Sequence, residues 1–153
     1  MLRCLLIISL EGNVKILLAA DGSEFTDKML DYVVSHPTLF DPSHEYVVFH
    51  SPLALPPHAK SAVGANVVRE YHEEESAKVL QPALAKLAQG KLHARSDWRP
   101  GPAGEAIAAY ADEGNFDLLL MGSHGHGSLT QLVMGSVANT VLSHCKVPVL
   151  LIR

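Results

Sequence analysis

The sequence is short of the features that mark several large functional classes. It has two cysteines, Cys4 and Cys145, at no spacing that suits a disulfide framework or a metal-ligand pair. That excludes a disulfide-stapled scaffold and fits a reducing compartment. Lysine and arginine number 12 against 16 acidic residues and form no cluster, so the electrostatic footprint of a nucleic-acid-binding surface is missing. The apolar run within Met1-Leu-Arg-Cys-Leu-Leu-Ile-Ile-Ser-Leu10 falls far short of the roughly 20 residues needed to cross a bilayer. Paired acids at a defined spacing and a Gly-x-Ser-x-Gly elbow are also absent, which leaves little support for a dedicated hydrolase.

What remains is an ordinary globular chain of 153 residues, 48% apolar and 18% charged, with a net charge of −4. Its length suits one domain able to bury most of its apolar surface. A cut after Ala19-Ala20 would delete the strand beginning near Val14, so we read residues 1–13 as an N-terminal extension, either an added strand or an upstream translation start, and residues 14–153 as the domain.

The pattern along that domain alternates. Val14–Ala20 is a short apolar run closed by Asp-Gly-Ser, the pattern of a buried parallel strand feeding a turn. Ser23 or Asp21 can cap a helix over Glu24–Ser35 with Phe25, Met29, Tyr32 and Val33 on one face. Tyr46–His50 is a second strand, and the proline-rich Ser51–Pro57 is loop. Val67–Gln89 is a long helix with Tyr71, Val79, Leu80, Leu84 and Leu87 as its inward positions, a solvated charge run at Glu70–Glu75, a kink at Pro82 and a terminating glycine at Gly90. Lys91–Trp98, Asp117–Met121 and Val147–Ile152 complete the strands, with Trp98 as a core anchor. Helices run from Gly101-Pro-Ala-Gly to Glu113 and over Leu129–His144. The expectation is a single α/β domain: a five-stranded parallel sheet, Rossmann-like, flanked by four helices.

Such a sheet presents its ligand site at the carboxyl ends of the strands where the order reverses. Two strand ends there carry suggestive residues: Ala20-Asp21-Gly22-Ser23, and Gly122-Ser123-His124-Gly125 followed nine residues later by Gly135-Ser136-Val137-Ala138. Glycines let backbone N–H groups approach an anion, and a helix N-terminus favours negative charge. The spacing G-x-x-G, nine residues, G-S is neither the P-loop nor the dinucleotide fingerprint. Each element also has a plainer reading. Asp21-Gly-Ser can be a helix cap alone, the glycines a tight turn, His50 a hydrogen-bonded core-edge residue, and the His124-x-His126 pair a surface feature without the carboxylate or thiolate cluster that a metal site needs.

Lys15-Ile-Leu-Leu-Ala-Ala-Asp-Gly-Ser23, Met121-Gly-Ser-His-Gly125, Gly135-Ser-Val-Ala138 and Val147-Pro-Val-Leu-Leu-Ile-Arg153 together resemble the universal stress protein domain, and Gly101-Pro-Ala-Gly-Glu-Ala-Ile107 is also similar. The resemblance implies a five-stranded sheet of order 3-2-1-4-5 and an adenine-nucleotide-binding stress-response module, cytoplasmic, with ATP and Mg2+ as the expected ligand. It implies a homodimer formed through the last strand, and an unidentified protein partner. Asp21 would sit near the ribose or a divalent ion, and Val48 to His50 near the adenine. Gly122, Ser123, His124, Gly125, Gly135 and Ser136 would hold ribose and phosphates, with Val137 and Ala138 continuing that wall. Two departures stand out: Ser51-Pro52 follows His50 where an apolar residue is more usual, and the glycine turn lacks a basic residue, with His126 in its place. They keep open a second reading, an interaction protein that binds no nucleotide; a third, a slow nucleotide hydrolase, would rest on Asp21 with a bound cation.

Overall fold

The computed structural model describes residues 12–126 and 134–153. Its strands are β1 (Lys15–Ala19), β2 (Glu45–His50), β3 (Ala94–Trp98), β4 (Leu118–Gly122) and β5 (Val149–Ile152), and its helices α1 (Glu24–Ser35), α2 (Pro57–Val63), α3 (Ala65–Gln89), α4 (Ala103–Glu113) and α5 (Ser136–His144). All strand pairs are parallel, in the order β3-β2-β1-β4-β5.

Strand alternation sorts the apolar residues onto two faces. Ile16, Leu18, Tyr46 and Val48 pack with Met29, Leu30 and Val33 of α1 and with Leu80, Ala83 and Leu87 of α3. Leu17, Ala19, Val47, Phe49, Leu119 and Met121 pack with Ile107 and Ala111 of α4 and with Ala138 and Val141 of α5. Both faces of the central strands are thus buried, as a parallel sheet requires. Each fully buried leucine or valine there contributes about 1.5–3 kcal/mol relative to exposure.

Several expectations need correction. There are five described helices, not four. Pro57, expected to end a loop, opens α2 at a first-turn position where its fixed φ suits the helix and its missing N–H costs nothing. Gly64, at φ +86°, separates α2 from α3. Tyr71 is 44% exposed and does not face inward; His72 and Ser76 occupy the buried side at that level, while Leu80 and Leu87 are buried as expected. Helix α3 runs continuously through Pro82, which is exposed.

Gly90 also stands where it does for a different reason than its position after the helix suggested. Its φ is −79°, and the left-handed residue is Lys91 at φ +62°. A methyl at Gly90 would lie 2.7 Å from a Val34 side-chain carbon, so close packing of α1 on the end of α3 requires the glycine. The left-handed turn also delays β3 from Lys91 to Ala94. The part of the last helix expected over residues 129–133, and all but the last two residues of the extension, lie outside the described residues.

Candidate functional site

The loops after β1 and β4 meet because those strands are neighbours, with Ala19 paired to Met121. The β1 loop is locked by its own side chains. Asp21 Oδ1 accepts from the Ser23 N–H at 2.9 Å and from the Thr26 hydroxyl at 2.8 Å, while Thr26 Oγ1 accepts the Asp21 N–H at 3.0 Å. Ser23 is the N-cap of α1, its side chain accepting from the Thr26 N–H. Gly22, at φ +75°, supplies the left-handed residue the turn needs. The two readings of Asp-Gly-Ser therefore divide between residues: Ser23 caps, and Asp21 holds the turn with one carboxylate oxygen.

The other Asp21 oxygen faces the opposite wall. A methyl at Gly125 would lie 2.7 Å from Asp21 Oδ2, and one at Gly122 would lie 2.5 Å from Phe25 Cβ. Side chains at either position would force the two loops apart. The β4 loop is pinched at its base, where the Gly135 N–H donates to the Ser123 carbonyl at 2.9 Å. A methyl at Gly135 would come within 3.2 Å of His124 Cα and the Ser123 oxygen. His126 Nε2 lies 2.7 Å from the Asp21 carbonyl, and His50 Nδ1 2.8 Å from the Ala20 carbonyl. A carbonyl only accepts, so each of those ring nitrogens carries the proton.

Between these loops lies a cleft of about 490 Å³, within the roughly 300–1,000 Å³ usual for small-molecule sites. Ten of the twelve sequence-predicted residues line it: Ala20, Asp21, His50, Gly122, His124, Gly125, Gly135, Ser136, Val137 and Ala138. Two do not. Val48 is fully buried in the core, on the same face as His50 but two residues short of the carboxyl end of β2, so it does not reach the cleft. Ser123 is buried behind the wall, its N–H donating to the Ile152 carbonyl at 2.8 Å.

The cleft has residues that sequence reasoning missed. Thr26 and Ser51 add hydroxyls, and Ala103, Ile107 and Met134 extend an apolar floor shared with Ala19 and Met121. Thr26 had a legible signal, standing three residues after a serine that can cap. Ala103 and Ile107 had none beyond their place in the Gly101-Pro-Ala-Gly segment. On the far side, Gly135 is the N-cap of α5 with no side-chain cap hydrogen bond, and the first-turn residues Ser136, Val137 and Ala138, whose N–H groups a helix N-terminus leaves without intrahelical partners, line the cleft wall.

Chemically the cleft offers an apolar floor, polar backbone and hydroxyl groups, one carboxylate oxygen and the positive end of a helix. Among the described residues no group of three metal-ligating side chains forms. Cys145 is half-buried; burial pushes its thiol above the ordinary range, and Asp112 beside it acts the same way. It is no nucleophile for this site.

The family described as the universal stress protein family matches residues 13–153. Universal stress protein Slr1230 of Synechocystis is 34% identical over 140 residues, 91% of this chain. The chain spans 42% of that relative's length. Among solved structures, that of hypothetical protein MJ0577 superposes with a TM-score of 0.76 at 24% identity, over 92% of this chain and 95% of the other. The universal stress protein from Archaeoglobus fulgidus in complex with dAMP superposes with a TM-score of 0.65 at 20% identity, over 92% of this chain and 98% of the other.

Proposed function

The chain belongs to the universal stress protein family, and from that premise we propose that it is an adenine-nucleotide-binding stress-response module acting as a homodimer. One observation carries the reading. Asp21 Oδ2, the uncapped start of α5 and the glycine-pinched β4 loop converge on one cleft at the strand-order switch point. The apolar floor from Ala19 to Met134 suits a purine. Asp21 Oδ2 suits a ribose hydroxyl, and the N–H groups of Ser136 to Ala138 suit a phosphate. The complex of the Archaeoglobus protein with dAMP lends support to the same ligand class.

ATP with Mg2+ is the leading ligand. Asp21 is the one carboxylate in the described lining. The cation would therefore arrive on the phosphates and not in a cage of protein ligands, as is common for magnesium. A bound nucleotide would then shift the module between states only through unequal affinity for them. The dimer would form through β5, an apolar edge strand whose four residues are all half-buried in a single chain. An unidentified protein partner would read the state, in the cytoplasm. Among the described residues no helix is long and apolar enough to cross a membrane.

Calorimetry with Mg-ATP, and mass spectrometry of small molecules released from the purified protein, test the reading directly. Binding should fall at least about tenfold in Gly125→Val, the loss of roughly one well-placed contact set, while circular dichroism stays native. No binding by the unchanged protein at millimolar nucleotide would sink it. The second reading, an interaction protein without nucleotide, draws on the lack of any lysine or arginine in the described lining, and that result would favour it. A third, slow hydrolysis, requires product formation that disappears in Asp21→Ala.

A further inference from the structure

The cleft is unusual in its charge. No lysine or arginine lines it among the described residues. Residues 127–133, Gly-Ser-Leu-Thr-Gln-Leu-Val, contain none in the sequence either, so that stretch can bring no cation wherever it lies. Two cations of nearby elements are occupied elsewhere: Lys28 pairs with Glu24 at 2.8 Å and Arg99 with Glu113 at 3.0 Å. Among the described lining residues the fixed charges are the Asp21 carboxylate and the start of α5, and a helix N-terminus is worth only about +0.5 of a charge. A terminal phosphate monoester alone carries about −2.

We infer that this cleft selects adenine ligands by charge. It takes a nucleoside or a nucleotide with a single phosphate group in preference to a free triphosphate, and it accepts the triphosphate only when a divalent cation neutralises it. The inference rests on the adenine-nucleotide reading above and adds what that reading leaves open, the charge class of the ligand. The geometry gives the reason. Asp21 Oδ2 faces the Gly125 backbone and is the one carboxylate in the described lining, so each further phosphate adds to a negative charge that no lysine or arginine there offsets. Histidines are the bases there: His50 and His126 each donate one ring N–H to a backbone carbonyl of the β1 end, and His124 packs on the Phe25 ring with centroids 5.1 Å apart. None is a permanent cation.

The test is calorimetry on the full chain with adenosine, AMP and ATP in EDTA, repeated with Mg2+ and at two salt concentrations. In EDTA, AMP should bind about tenfold tighter than ATP, the size of a one-to-two-charge repulsion across a partly hydrated cleft. Magnesium should close most of that gap, and higher salt should narrow it by screening. Asp21→Asn should raise ATP relative to AMP in EDTA. His126→Lys, at an exposed rim position, should do the same without touching the carboxylate. Equal or tighter binding of metal-free ATP, or salt weakening ATP more than AMP, overturns the inference and leaves the nucleotide reading standing. Failure of all three ligands to bind, with and without magnesium, overturns both.

Discussion

From Leu80 to Gln89, α3 buries Leu80, Ala83 and Leu87 against the sheet. From Ala65 to Val79 the same helix buries only His72 and Ser76, and it turns Val67 (50% exposed) and Tyr71 (44%) toward solvent. The imidazole nitrogens of His72 and the hydroxyl of Ser76 have no hydrogen-bond partner among the described residues. One half of the helix is therefore held by apolar burial. The other half carries buried polar groups whose desolvation costs about 1–3 kcal/mol each when unmatched. The comparison teaches where this domain's stability resides: under the C-terminal half of α3, and not in the half that overhangs the carboxyl edge beside Trp98, whose indole lies 6.1 Å from the His72 ring.

The largest effect that would break this comparison comes from paired truncations. Leu80→Ala should lose about 2–5 kcal/mol in urea unfolding, as buried leucines do. Val67→Ala, on the same helix, should change stability by no more than about 0.5 kcal/mol. Comparable losses at the two sites would show that the overhanging half is as integral as the other. Amide exchange adds a second readout: amides of the first half should exchange through openings smaller than global unfolding, those around Leu87 only through global unfolding.

Tyr46 sharpens the contrast because it is a buried polar residue that is satisfied. It is 1% exposed, and its hydroxyl donates to the Asp41 carbonyl at 2.9 Å. Burial, with the Asp41 charge beside it, pushes its phenol from the ordinary 10 up to about 12. Below pH 10 both folded and unfolded chains keep the proton, so the shift leaves stability untouched. Between pH 10 and about 12 the unfolded chain releases it and the folded chain does not, so stability falls as pH rises. Tyr46→Phe should cost about 1 kcal/mol near neutral pH through the lost hydrogen bond. It should also flatten the alkaline limb of the stability curve. An unchanged alkaline limb would mean that another group carries it.

These contrasts also mark how far the sequence can be read. The alternation of strands and helices and both cleft-facing loops were legible because their signals are local: apolar runs closed by Asp-Gly-Ser and by Gly-Ser-His-Gly, followed by Gly-Ser at a helix start; the sheet order followed from the family resemblance. The burial of α3 was half legible. Leu80 and Leu87 advertise themselves as apolar at helical spacing, whereas His72 and Ser76 give no sign of burial, and Tyr71 gives a false one. Contacts between distant residues were not legible at all. Gly90 against Val34, and Gly125 against Asp21, need glycine because of a neighbour 56 or 104 positions away in the chain. Val48 failed for a simpler reason: it lies two residues before the carboxyl end of β2, so it packs into the core while His50, on the same face, reaches the cleft.

The smallest effect is the most discriminating. Ser76→Ala removes a buried hydroxyl that has no partner among the described residues, leaves Cβ in place and improves helix propensity, so stability should rise by about 0.5–1 kcal/mol. Most substitutions at fully buried positions lower stability, which makes an increase diagnostic. Ser61 offers the control, an exposed serine on α2 whose hydroxyl donates to the Pro57 and His58 carbonyls; Ser61→Ala should stay within about 0.5 kcal/mol of the parent. If Ser76→Ala instead destabilises by 1 kcal/mol or more, the hydroxyl has a partner in solution, such as an ordered water shared with His72. The overhanging half of α3 would then be pinned by a polar contact, and the contrast between its two halves would be one of chemistry alone, not of strength.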